Sequence, residues 1–319
     1  MGNRKDFYGK SEVIDKIKGV IFGQAIGDAL GLGSEFLSKE EVQKYYPNRL
    51  TNYNQIIQDP HRSRWEKGDW TDDTDMMLCI ARAIIKDGGK VNPISVAKNF
   101  KNWFNGNPMG IGSNTYKVLA FDDYTDNPFK AAELVWELSK KQSAANGGVM
   151  RTSVIGLCRE DVISSAEDVC RLTHADPRCI GSCVIVSWLI HSLVYMGVLP
   201  THDELLFLAN TYDTRILNFL KIAFDGFLDD LVLDDYAMGY TLKTLAAALW
   251  VLFHCNSFEE GLLTIVNAGG DADTNAAVAC SLLGAKYGYS SIPQKYVDGL
   301  INKNILNEIV SKLTNAINK

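Results

Sequence analysis

Several patterns that mark common protein classes are missing from this sequence. It contains no run of basic residues and its net charge is −6, which argues against nucleic acid or an anionic membrane as the main partner. The seven cysteines form no CxxC pair and no zinc-ligand spacing, so we expect reduced thiols in the core of a cytoplasmic protein. The opening "MGNRKDFYGK" has no apolar segment typical of a signal peptide.

The sequence also lacks strictly alternating segments, internal repeats and Gly/Ser linkers, so neither strands nor a domain boundary is predicted. Helical spacing of apolar residues dominates instead, and we expect a single all-α domain over residues 1–319. The longest predicted loop is 46–70. The predicted helices cover approximately 12–30, 73–86, 93–105, 113–121, 128–140, 176–197, 202–211, 214–228, 240–254, 258–267, 273–287 and 303–318.

One segment, 179–200, is uncharged over a length that could span a bilayer. It contains His191 and several serines, it is flanked closely by charged residues, and no second segment of this kind occurs. These features favour a buried central helix of a large α-protein over a membrane span.

Glycines recur every fourth position along the first predicted helix, at Gly19, Gly23, Gly27 and Gly31. They form one stripe of the helix and predict close packing against another helix. The alternative, a nucleotide-binding loop, lacks both the preceding strand and the G-x-G-x-x-G spacing. No Ser/His/Asp or Cys/His arrangement indicates a nucleophile.

Two acidic turns lie about 200 residues apart. The first, "TDDTD" at 71–75, and the second, "DADT" at 271–274, each precede an apolar helix. Capping of a helix N-terminus explains one carboxylate at each turn. If both turns face one site, however, at least four carboxylates converge, and these cannot all ionise without a counter-charge.

A divalent cation would supply that counter-charge. Asp and Thr offer oxygen ligands only, which favours Mg²⁺ or Mn²⁺ over zinc. The second turn does not fit an EF-hand, because the loop from Asp271 lacks Gly at its sixth position and Glu at its twelfth. The number of carboxylates suggests two ions, as in two-metal hydrolases.

Taken in order, several stretches resemble the ADP-ribosylglycohydrolase family, which includes the hydrolase that releases ADP-ribose from dinitrogenase reductase. They are spread from residue 19 to residue 288. They read "GDALG…SEF", "WTDDT", "GIGSNT", "NGGVMR", "THAD", "GYTLKTLAAALW" and "GGDADTNAAVACSLLGAKYG". The resemblance implies a compact orthogonal bundle of helices with two Mg²⁺ or Mn²⁺ ions in one cleft.

The resemblance also implies roles for single residues. Glu35 matches the acidic residue at the metal centre and would take or relay the proton of the attacking water, and we predict a catalytic role for Asp273 as well. Tyr240 would stack on the ligand. The implied metal ligands are Thr71, Asp72, Asp73, Asp271, Asp273 and Thr274; Gly110, Gly112 and Ser113 match a pyrophosphate loop, and Gly147, Gly148 and His174 lie near the distal ribose.

Each of these loops has a simpler explanation when it is taken alone. "PMGIGSNT" could be a loop and cap, Arg151 a structural ion-pair residue, His174 a satisfied polar residue and Glu35 a solvated one. The resemblance that they carry together implies hydrolysis of the bond between ADP-ribose and a modified protein residue. We expect arginine rather than serine as that residue, and acids near the cleft such as Asp69 or Asp122 would favour a cationic guanidinium. The alternatives are a non-catalytic ADP-ribose-binding protein and a two-metal phosphoesterase.

Overall fold

The computed structural model describes residues 8–318, and this part of the chain contains helices and no β-strand. The all-α prediction is therefore confirmed. The helices are α1 (Lys10–Gly31), α2 (Lys39–Tyr45), α3 (Asp72–Lys86), α4 (Pro93–Asn105), α5 (Ser113–Leu119), α6 (Pro128–Leu138), α7 (Val162–Arg171), α8 (Pro177–His191), α9 (His202–Asn210), α10 (Arg215–Asp225), α11 (Thr241–His254), α12 (Phe258–Val266), α13 (Ala272–Tyr287), α14 (Gln294–Gly299) and α15 (Lys303–Ile317).

The glycine stripe of α1 packs directly against α13. A Cβ atom built on any of its four glycines would lie closer than 3.0 Å to a backbone oxygen of α13. These oxygens belong, from the first glycine to the last, to Gly284, Cys280, Ala276 and Ala272. The two helices are therefore antiparallel, and the C-terminal end of α1 lies beside the start of α13, where the second acidic turn is.

The apolar segment at 179–200 forms α8 and a π-helical turn at Ser192–Met196. The span Pro177–Met196 is long and apolar enough to cross a membrane, but 83% of its most apolar window is buried inside the protein. It packs against α7, α11 and the 3-10 helix Val149–Leu157. This burial agrees with the prediction of a central core helix.

Three helices in the structure were not predicted, namely α2, α7 and α14. α2 and α14 are only seven and six residues long, which is too short to show a periodic pattern. α7 begins with Val162 and Ile163, which are weak helix formers, and is held by its buried apolar face. The predicted loop 46–70 contains only the short 3-10 turns Tyr53–Gln55 and Arg62–Arg64.

Candidate functional site

The first acidic turn is held from behind by Asp28 of α1. Its Oδ1 accepts hydrogen bonds from the amide and hydroxyl of Thr71, at 3.0 and 2.9 Å. Its Oδ2 accepts from the amide and hydroxyl of Thr74, at 3.0 and 2.6 Å. Asp28 is completely buried, so one carboxylate uses both oxygens to fix the N-terminus of α3.

The three aspartates of this turn point to different places. Asp72 and Asp73 line a large cleft. Asp75 does not, since its two oxygens accept hydrogen bonds from the indole nitrogens of Trp70 and Trp103, at 2.9 and 3.0 Å. The turn therefore both caps α3, with Thr71 as the N-cap residue, and supplies carboxylates to the cleft.

The second acidic turn is positioned by two neighbouring loops. Gly270 pairs with Leu37 in an isolated antiparallel bridge, and its φ of 70° is accessible mainly to glycine. Asp271 Oδ2 accepts a hydrogen bond of 2.6 Å from the amide of Asn146, whose Nδ2 also contacts Thr244 Oγ1 at 3.0 Å. The turn is thus fixed to the segment after Glu35 and to the "NGGVMR" loop.

The two turns meet at the base of the cleft. Thr274 Oγ1 of the second turn donates to Asp73 Oδ2 of the first, at 3.3 Å. Carboxylate oxygens of Asp28, Asp73 and Asp273 lie within 4.8 Å of one another, and so do those of Glu35, Asp271 and Asp273. The convergence expected from the sequence is therefore present, and Asp273 belongs to both groups.

Burial and mutual repulsion disfavour ionisation of these carboxyl groups. Burial and the nearby Glu35 carboxylate raise the pKa of Asp72 to about 7, and burial raises that of Asp271 to about 6. The pKa values of Asp73 and Asp273 are raised well above the ordinary value, first by burial and then by the neighbouring acids. Full ionisation of the cluster would therefore be unfavourable without a cation to offset the charge.

The residues present fit divalent cations. Asp73 Oδ1 and Asp273 Oδ1 are buried and have no hydrogen-bond partner among the described residues, which is an unfavourable state that a coordinated ion would relieve. Every candidate ligand offers oxygen, the donor that Mg²⁺ and Mn²⁺ prefer. Thr71 Oγ1 and Thr274 Oγ1, both directed at Asp73, complete the set predicted from the sequence.

Glu35 lies at the edge of the cluster, just after α1. Its Oε2 is 2.6 Å from Nε2 of His61, and its backbone carbonyl accepts from the guanidinium of Arg62. Arg62 is buried and also donates to the carbonyl oxygens at the end of α1. The predicted loop 46–70 therefore contributes two residues that hold Glu35 at the cleft.

The cleft has a volume of about 1050 Å³, and its wall includes both the acidic cluster and apolar side chains. The apolar part of the wall includes Tyr116, Phe121, Val135 and Leu138. Of the sequence-predicted site residues, those in the walls are Glu35, Thr71, Asp72, Asp73, Gly110, Gly112, Ser113, Gly147, His174, Asp271, Asp273 and Thr274.

Two predicted substrate residues lie behind the wall. A Cβ on Gly148 would contact the sulfur atoms of Cys170 and Cys183 in the core. Tyr240 stands next to Gly239, which does line the cleft, but its hydroxyl accepts from Arg178 at 3.3 Å and its ring packs edge-on to Phe219. The stacking role of Tyr240 stays a prediction.

Of the two acids expected near the cleft, neither Asp69 nor Asp122 is in its wall. Asp69 lies in the wall of a smaller pocket that shares Asp72 and Gly110 with the cleft, and it accepts a hydrogen bond from the amide of Asn302. Asp122 is exposed on the loop after α5. The charged side chains of the cleft wall include Arg64 and Lys117, and a role of Asp69 or Asp122 in favouring a cationic guanidinium stays a prediction.

Comparison with known proteins identifies the family. The family model for ADP-ribosylglycohydrolases matches residues 9–319. The chain belongs to the ADP-ribosylglycohydrolase family. The resemblance inferred from the sequence motifs is thereby confirmed.

Individual relatives are similar over nearly the whole chain. ADP-ribosylarginine hydrolase Tri1 of Serratia proteamaculans is 25% identical over 95% of this chain and 80% of its own length. ADP-ribosyl-[dinitrogen reductase] glycohydrolase of Rhodospirillum rubrum is 26% identical over 90% of this chain and 91% of its own. A solved structure, titled ADP-ribosylglycohydrolase-related protein complex, superposes with a TM-score of 0.75 at 27% identity, covering 97% and 99% of the two chains.

Three residues that support the predicted site residues of this family member were not themselves predicted. Asp28 had a signal, because it is the one carboxylate in the apolar, glycine-striped part of α1 from Gly19 to Gly31, where an unpaired charge is costly. His61 had none in the sequence, and Asn146 had only its place at the start of "NGGVMR", since the importance of both depends on contacts with Glu35 and Asp271. Such contacts across 26 and 125 positions are visible only after folding.

Proposed function

We propose that this protein hydrolyses the glycosidic bond between ADP-ribose and a modified protein residue, and that the residue is arginine. One observation carries the proposal: both acidic turns converge, with unpartnered buried oxygens on Asp73 and Asp273, in a cleft large enough for a dinucleotide-sized ligand. The names of the two relatives described above, one of which acts on ADP-ribosylarginine, support the choice of chemistry and of linkage.

The donor set supports two Mg²⁺ or Mn²⁺ ions held by Thr71, Asp72, Asp73, Asp271, Asp273 and Thr274. When bound, divalent cations would offset the carboxylate repulsion and polarise the ligand oxygens that they contact. Because the Asp side chains are committed to the cations, Glu35 is the residue left to accept the proton of an attacking water. Its 2.6 Å contact with His61 Nε2 keeps its carboxylate oriented at the edge of the cluster.

The rest of the cleft suits the remainder of ADP-ribose. The apolar part of the wall near Tyr116 and Phe121 offers aromatic and aliphatic surface to a purine base. Elsewhere in the wall, Gly110 lies so close to Asp72 and Trp65 that a Cβ there would be 3.1 and 3.2 Å away, while Gly112 faces open space. A backbone without side chains at this point allows close approach of a pyrophosphate.

The decisive assay incubates the protein with matched ADP-ribosyl-arginine and ADP-ribosyl-serine peptides, with Mg²⁺, with Mn²⁺ and with a chelator. We expect free ADP-ribose, faster from arginine, and only with metal. AMP with ribose 5-phosphate would identify a phosphoesterase instead, and binding without turnover a non-catalytic protein. Faster release from serine would overturn the linkage while leaving the glycohydrolase activity intact.

The cytoplasmic location, the single domain over residues 1–319 and the absence of nucleic-acid or membrane partners remain part of this proposal. The location rests on cysteines that show no pairing or zinc-ligand pattern, and the single domain rests on the lack of linkers and repeats. The absence of nucleic-acid or membrane partners rests on a net charge of −6 with no basic run.

A further inference from the structure

A buried cation lies behind the cleft wall and takes no part in the proposed chemistry. The Arg151 side chain is completely buried, and no Asp or Glu of the described residues forms an ion pair with it. Its NH2 group donates to Thr173 Oγ1 at 2.6 Å and to the Val169 carbonyl at 3.3 Å, and its guanidinium lies 4.5 Å from the centre of the Phe100 ring. A buried charge without an acid partner is unfavourable, and packing alone does not account for it.

The hydrogen-bond directions from Arg151 lead to His174. A guanidinium can only donate, so Thr173 Oγ1 accepts from Arg151 and its own hydroxyl hydrogen must find another acceptor. The acceptor within reach is His174 Nδ1, at 2.7 Å. When Nδ1 accepts, a neutral imidazole carries its proton on Nε2.

The Nε2 atom of His174 is directed at the cleft. It is buried and has no hydrogen-bond partner among the described residues, and His174 is part of the cleft wall. The imidazole edge lies against Gly147, where a Cβ would be 3.0 Å from Cε1 and 3.2 Å from Nε2. A side chain at position 147 would therefore cover this donor, and glycine leaves it open.

We propose that Arg151 and Thr173 are positioning residues that hold His174 as a neutral imidazole with its proton on Nε2, so that it donates one hydrogen bond to an oxygen of the ligand. That the oxygen belongs to the ribose part of ADP-ribose rests on the proposed function; the tautomer does not. Burial and the Arg151 charge lower the pKa of His174 to about 3, which keeps the ring neutral at physiological pH. The site then offers a neutral hydrogen-bond donor at this point rather than a positive charge.

The tautomer can be read directly from the full-length protein. In ¹⁵N-histidine-labelled protein, long-range ¹H–¹⁵N correlation spectra distinguish a protonated from an unprotonated ring nitrogen. With five histidines in the chain, His174→Gln identifies the signal. We expect a protonated Nε2 and an unprotonated Nδ1, unchanged from pH 5 to pH 8. A proton on Nδ1, or an imidazolium at pH 7, would overturn the proposal.

Variants of Thr173 test the positioning. Thr173→Val removes the hydroxyl at nearly constant shape, so we expect loss of the single tautomer and about five- to tenfold weaker binding of free ADP-ribose, measured calorimetrically with Mg²⁺. Thr173→Ser restores the hydroxyl and should bind within about twofold of the unmodified protein. If the valine variant keeps both the tautomer and the affinity, the positioning of His174 by Arg151 and Thr173 is wrong.

These readouts separate the two proposals. If the valine variant does not fold, the spectrum of the unmodified protein and the serine variant still decide. If the unmodified protein neither binds nor releases ADP-ribose, the proposed function fails. The tautomer of His174 still tests whether Arg151 and Thr173 position it.

Discussion

Asp28, which supports the first acidic turn from behind, and Asp273, which belongs to the second turn, are buried aspartates with opposite local environments. Behind the first turn, Asp28 accepts four hydrogen bonds from Thr71 and Thr74. In the second turn, Asp273 has a buried oxygen with no partner, and it stands among carboxylates on two sides. One buried aspartate is therefore satisfied by the protein, whereas the other is left for a ligand.

The comparison teaches that burial alone does not identify a functional carboxylate. Asp28 and Asp273 are both almost fully buried, and burial raises the pKa of each. What differs is the supply of donors, because a carboxylate surrounded by donors stabilises the fold and one surrounded by carboxylates destabilises it. The predictions below test this difference.

The largest effect is expected at Asp273. Asp273→Asn keeps the shape but removes one charge and one strong ligand. We expect turnover to fall more than about 100-fold, since even outer partners of metal ligands cost about 10- to 100-fold. The thermal midpoint without metal should stay the same or rise as repulsion is relieved. Asp122→Asn, the same change on an exposed loop, is the control and should leave both quantities unaltered. Normal turnover in Asp273→Asn would reduce Asp273 to a helix-capping residue.

Asp28→Asn should lower the stability of the protein, whereas Asp273→Asn should lower its turnover. The amide NH₂ of asparagine would face the backbone N–H of either Thr71 or Thr74, so one buried hydrogen bond is replaced by two opposed donors. We expect a loss of about 2–4 kcal/mol in the free energy of unfolding, measured by urea denaturation of metal-free protein.

Asp15→Asn is the matched control on the same helix. Asp15 is only partly exposed and accepts from the amide and hydroxyl of Ser290, at 3.1 Å each, so its replacement should cost less than about 1 kcal/mol. Equal losses in the two variants would contradict the distinction between a buried supporting carboxylate and an ordinary one.

The smallest expected effect is on the pH dependence of stability without metal. Carboxyl groups whose pKa is raised by folding, such as Asp72 to about 7 and Asp271 to about 6, keep their protons when the unfolded chain has lost them. Their contribution to stability is greatest below the unfolded pKa of about 4 and is lost as the pH rises through 6 and 7. The thermal midpoint of chelator-treated protein should therefore fall from pH 5 to pH 8, and saturating Mg²⁺ should reduce that slope. A midpoint that rises over this range would contradict the cluster's electrostatics.

Much of the architecture could be predicted because it is encoded locally. The four-residue spacing of glycines in α1 predicts close helix packing, and the structure confirms it. The identity of the partner, α13, could not be predicted, since nothing in the two segments specifies their pairing across about 250 residues of sequence. α2 and α14 were missed because short helices depend on tertiary packing rather than on periodicity.

The residues of the site also fall into two groups, those that the sequence predicts and those that become visible only in the folded structure. Residues within compact motifs, such as Asp72 and Asp271, could be assigned to the cleft from the sequence. The supporting contacts from His61, Asn146 and Arg151 join distant segments, so no local pattern contains them. The contact that holds Asp69 is of the same kind, because Asn302 lies 233 positions away in the chain.

The central claim is that the two acidic turns build one divalent-cation centre. Crystals grown with Mn²⁺ test it most directly through anomalous scattering. The account predicts two peaks about 3.5–4 Å apart, contacted by Asp73 from the first turn and Asp273 from the second. Peaks absent from this cluster, or bound by one turn alone, would contradict it.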